Sequence, residues 1–132
     1  MEPIPRFHDG YVTGLRLRDE AVTIYLQDVS GSDYELLLEG LEALHVENFR
    51  EGNVILVAEV VTGRTPDADT DFDSLFIPPH PSADAQYHDA HGLVLKRQIA
   101  RIETGELSLV LIVPSYGADL LATCREVVCR PV

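Results

Sequence analysis

Alternation of apolar and polar residues dominates the first half of the chain. Over "YVTGLRL", Tyr11, Thr13, Leu15 and Leu17 fall on one side and Val12, Gly14 and Arg16 on the other. "AVTIYLQD" sets Val22, Ile24 and Leu26 against Thr23, Tyr25 and Gln27, and "DYELLLEG" repeats the pattern with Tyr34, Leu36 and Leu38. Period two is the mark of a strand with one covered face. The polar links Arg18-Asp19-Glu20 and Ser30-Gly31-Ser32-Asp33 are of hairpin type. "LEALHVENF" is a less regular strand, whereas "GNVILVAEVVTG" is apolar on both sides and suits a strand covered above and below.

The second half is more ambiguous. In "GLVLKRQIARIETGELSLVLIVPS", Leu95, Ile99 and Ile102 also fit a helix face. The Thr104-Gly105 pair, followed by alternating Leu107, Leu109, Leu111 and Val113, favours a hairpin, so residues 92–103 are read as a strand. "YGADLLATCREVVCRPV" then forms one return strand. The prediction is a mainly β, single domain over residues 1–132, with about eight antiparallel strands in a sandwich or strongly curved sheet. An acidic, Pro- and His-rich insertion at 65–91 interrupts it. Within that insertion Thr65 can cap a short helix over about 66–76, with Pro66 at its first position and Phe72, Leu75 and Phe76 as its apolar stripe.

Composition narrows the partner class. The 132 residues suffice to bury roughly two-thirds of the unfolded surface without staples. Twenty-two acids against ten bases give a net charge of −12, and Lys96 is the only lysine. That field repels nucleic-acid phosphates and anionic lipid, so neither nucleic acid nor membrane is an expected partner. A basic protein is, with homo-oligomerisation through a sheet edge as a further option. The start "MEPIPRFHDG" lacks the features of a secretory signal. In an extended segment Cys124 and Cys129 would lie about 16 Å apart, beyond the disulfide limit of about 7 Å. Reduced thiols and a cytoplasmic location are therefore expected.

Chemistry is sparse. Asp67, Asp69 and Asp71 have the spacing of an EF-hand calcium loop, but Phe72 and Pro78 occupy the positions that need Gly and Glu. His80, Asp84, His88, Asp89 and His91 could supply ligands to a divalent transition metal, an alternative that would make the chain a metal binder or metal-assisted hydrolase. Their spacing matches no zinc motif, and no cofactor is expected in the favoured reading. Cys124, Cys129, Ser115 and Ser74 lack the flanking pattern of a nucleophile, so no catalytic residue is assigned. His8, just before a strand, is expected to pair with a backbone carbonyl or with Asp9.

Three short features are spaced along the chain: Phe7-His8-Asp9-Gly10, Phe49-Arg50-Glu51-Gly52-Asn53-Val54-Ile55 and Pro114-Ser115-Tyr116-Gly117. Together they resemble small bacterial β domains, among them immunity-type proteins of polymorphic toxin systems. The resemblance implies a non-catalytic protein that neutralises a partner, and it carries no active-site residues. On this reading Asp67, Asp69, Asp71, Asp73, Asp84 and Asp89 would supply the acidic contact surface. Phe72, Phe76 and Tyr87 would serve as aromatic anchors wherever they are exposed.

Overall fold

The alternating segments form the strands they predict. In the computed structural model, which describes residues 4–132, β1 (Tyr11–Arg18), β2 (Ala21–Gln27) and β3 (Asp33–Glu39) make a meander. Asp19 and Glu20, both at positive φ, form the two-residue turn between β1 and β2. That geometry matches the twist of the strands it joins. Next come β4 (Ala43–Glu47) and β5 (Asn53–Val61), then helices α1 (Phe72–Leu75) and α2 (Ala85–Thr104). The chain closes with β6 (Ser108–Tyr116), β7 (Asp119–Cys124) and β8 (Glu126–Pro131).

All eight strands are antiparallel members of one sheet, in the order β4-β7-β6-β5-β1-β2-β3-β8. The sheet does not close, yet each edge strand continues a strand near the opposite edge: β3 runs into β4, and β7 into β8. The two continuous ribbons lie side by side and bend together. At the bend Gly40 sits at φ 61°, and the Arg125 N–H donates to the carbonyls of Glu39 and Gly40 at 3.0 and 3.2 Å. Folding over at this bend brings Val22, Ile24, Leu26, Leu36 and Leu38 into one core with Ile55, Val110, Ile112, Leu120 and Ala122.

The opposite corner, where β1 meets β5 through only Tyr11↔Val54 and Val12↔Asn53, is held by side chains. Buried Asn53 accepts from the Arg50 and Ala118 N–H groups at 2.7 and 2.9 Å, and its amide donates to the Val12 carbonyl at 3.2 Å. Gly117, at φ 88°, lies against the Asn53 side chain. The Asp9 N–H donates to the Ile55 carbonyl, and the Ile55 N–H to that of Gly10, both at 2.9 Å. His8 does both things expected of it, donating from Nδ1 to the Leu56 carbonyl at 2.9 Å and lying 3.4 Å from Asp9. The three short motifs thus converge on one structural corner.

Three sequence expectations are corrected. Residues 92–103 belong to the twenty-residue helix α2, not to a strand. Leu95, Ile99 and Ile102 do form a stripe, packed over the outer side of the sheet against Val61, Leu107, Leu109 and Leu121. Gly105, read as a hairpin residue, is the left-handed C-cap, with its N–H on the Ile102 carbonyl. Second, the terminal return strand is two strands, β7 and β8, which restores the total of eight. Third, the short helix is only Phe72–Leu75, capped by Asp71. Thr65 instead donates its hydroxyl to Glu103 at 3.2 Å, and Pro66 is buried. No helix among the described residues is long and apolar enough to cross a membrane.

Candidate functional site

The insertion after β5 folds back across the outer face of the β4–β7–β6–β5 layer. Two apolar residues fix it there: buried Pro66, and Phe72, which enters the cluster of Val61, Ile102, Leu107, Leu109 and Leu121. Asp71 caps α1 beside Phe72, accepting from the Ser74 N–H at 3.3 Å and from its hydroxyl. The result is a cleft of about 280 Å³ with walls of different origin. Asp67, Asp69 and Asp71 line it from the insertion, and Glu47 (β4), Glu59 (β5) and Asp119 (β7) from the sheet. Leu111, Val113, Leu120 and Leu121 supply the apolar lining.

A neighbouring carboxylate raises a carboxyl group's affinity for protons. The effect is visible at Asp119. Partial burial, then the charge of Glu47, push its carboxyl above the usual range; His45 opposes them, and Asp71 adds a smaller push. Arg64 pairs with Glu59 and offsets part of the charge. The His45 ring also lines the cleft, and its Nε2 is buried without a hydrogen-bond partner. Chemically the cleft is rich in acceptors over an apolar floor, which suits a guanidinium or ammonium head on an aliphatic stem.

An Asp119→Asn substitution should therefore stabilise the fold at neutral pH. With its folded pKa raised, Asp119 carries no penalty below its unfolded pKa, near 3.8. The penalty grows as pH rises through the folded value and is full above it. Thermal melts at pH 7 should show the variant above wild type, and melts at pH 3 should show no gain. A gain that persists at pH 3 would mean that charge is not its cause.

The predicted contact residues separate into distinct groups. Asp67, Asp69 and Asp71 reach the cleft, whereas Asp73 turns to His91, with its Oδ1 3.1 Å from Nε2. Asp84 is the N-cap residue of α2, and Asp89 and Tyr87 are exposed along the first turns of that helix. Phe72 is buried, and Phe76 is half-buried against the same apolar cluster, so neither is a free anchor. The apolar stripe that made them candidates is spent on docking the insertion, so the exposure that an anchor requires is not met.

The metal candidates are likewise dispersed. His80 Nδ1 lies 2.7 Å from the Ser82 hydroxyl, His91 is engaged with Asp73, and His88 and Asp89 are exposed neighbours on α2. Among the described residues, no group of three or more His, Cys, Asp and Glu side chains could hold a metal ion. The cleft carboxylates are spread along walls rather than gathered at a point, an arrangement for an extended cation and not for a compact one.

Glu47, Glu59, Asp119 and His45 were not singled out in the sequence. The available signal was Glu59, the lone acid within the apolar run Val54–Val61. No protein-family model, curated protein or solved structure matches the chain.

Proposed function

We propose that the protein is a non-catalytic binding protein that neutralises a basic protein partner, in the manner of the immunity-type proteins its motifs resemble. The cleft would take an Arg or Lys side chain of that partner. The observation that carries this reading is the meeting of three insertion acids with three strand acids over an apolar floor. The field of a chain at −12 would steer a cationic partner toward it, accelerating association roughly 10- to 1,000-fold at low salt. The cysteine chemistry supports a role without catalysis. Burial pushes the Cys124 thiol up to about 12 and also raises that of Cys129, so neither is a ready thiolate nucleophile.

A labelled hexa-arginine peptide tests the cleft directly. Wild type is expected to bind it with an affinity that falls as salt rises. The triple variant Glu47→Gln, Glu59→Gln, Asp119→Asn should weaken binding by about tenfold or more, the loss expected for one or two desolvated charge contacts. Asp19→Asn, Glu20→Gln, Glu51→Gln removes the same number of charges away from the cleft and should cost far less. Equal losses from both triples would reduce the effect to net charge and sink the assignment.

A further inference from the structure

The sheet's open edge at β8 carries a self-complementary pattern. Val132 N–H donates to the Asp33 carbonyl at 3.0 Å. With the register Glu35↔Arg130, Leu37↔Val128 and Glu39↔Glu126, alternation along the ladder turns the backbone groups of Arg130, Val128 and Glu126 toward β3. Those of Val127 and Cys129 point away from it. They border an open groove of about 600 Å³ whose far side includes Thr62, Gly105 and Ser108.

We propose that this edge pairs with β8 of a second copy of the chain, antiparallel about a twofold axis through Val128. In that register Val127 faces Cys129 of the second copy and Cys129 faces its Val127, giving four backbone hydrogen bonds. The neighbouring symmetric registers, about Val127 or Cys129, keep two bonds at the axis and one at each end, so bond count alone does not separate them. Arg125 has already given its N–H to Glu39 and Gly40, and Pro131 has none to give.

Charge selects among these registers the one about Val128. Glu126 stands opposite Glu39 within its own sheet, a like-charge pair, and among the described residues it is in no ion pair. Across the twofold axis it would stand opposite Arg130 of the second copy. Arg130 holds Glu35 through Nε at 3.0 Å, which leaves its terminal nitrogens for a second carboxylate. Between the two ion pairs, exposed Val128 would meet Val128, extending the outer-face contact of Leu37 with Val128.

The test uses charge swaps and a cross-link. Glu126→Arg alone puts arginine opposite arginine, and Arg130→Glu alone puts glutamate opposite glutamate, so each variant should self-associate at least tenfold more weakly than wild type. An equimolar mixture restores opposite charges at both positions and should return a dimer, seen as a doubled mass by light scattering. This rescue also shows that both variants are folded. Val128→Cys in a Cys129→Ala background should form a disulfide-linked dimer under mild oxidation, because facing residues of a non-hydrogen-bonded pair lie about 4.5 Å apart. Val57→Cys in the same background serves as the exposed control. A monomeric wild type without the Val128 cross-link overturns the proposal and leaves the edge to some other extended strand. So does a mixture that fails to reassociate, or a control that cross-links as well.

Discussion

An Asn53→Ala variant should lose about 3 kcal/mol or more of unfolding free energy. The side chain makes three hydrogen bonds at a buried site, to Arg50, Ala118 and Val12. Removing it strands two backbone donors and one acceptor, each worth about 1–3 kcal/mol when left unpaired in the interior. Water entering the gap would recover part of that cost, which is why the lower end of the sum is expected. In a domain of this size the loss corresponds to a fall of about 10 °C or more in melting temperature. Gly117→Ala should damage the same corner by another route, since an added Cβ would lie 3.2 Å from the Asn53 Cα at a φ of 88° and collide with its side-chain oxygen. The two substitutions share one contact, so their combined cost should fall short of the sum. Strict additivity in chemical denaturation would show that the corner is not a coupled unit.

Ile102→Ala should cost about 2–4 kcal/mol, within the usual range for an aliphatic core truncation, and the loss should be uneven. Ile102 is the only fully buried residue of α2. A second tie comes from Arg101, whose guanidinium grips both Glu42 oxygens at 2.7 and 2.6 Å near the start of β4. The first half of the helix, with Tyr87, Leu93 and Val94 exposed, adds little. Hydrogen exchange should therefore accelerate across residues 85–104 while β1, β2 and β3 keep their protection, as expected when a peripheral unit opens by itself. An equal rise across the meander would make the helix part of the cooperative core.

Strands β2 and β3 were legible because each buries one face, and period two records that directly; β5, expected to be covered above and below, leaves Leu56 and Val57 exposed. Residues 92–103 were misread because the Leu95, Ile99 and Ile102 stripe is short and Gly105 is ambiguous. A glycine at positive φ serves a hairpin turn and a helix C-cap equally well, and the alternating run that follows belongs to β6 in either case. The last segment hid its break because Arg125, which divides β7 from β8, gives its backbone N–H to Glu39 at the end of β3, 86 residues earlier (125 − 39), and to Gly40 beside it. The insertion announced its acidity but not its destination. Glu47, Glu59 and Asp119 are separated in sequence, and only the strand order β4-β7-β6-β5 gathers them under Asp67, Asp69 and Asp71.

The paired ribbons at the β3–β4 bend also set a timetable for folding. The β1–β2–β3 meander needs only neighbouring residues and can assemble while synthesis is under way. Strand β4 has no partner until residues 119–124 arrive, and the far side of β3 has none until 126–131 do. Loop closure over such separations is slow. The nascent meander would thus wait with an apolar underside and one unsatisfied margin, the interval in which this chain would most depend on a chaperone.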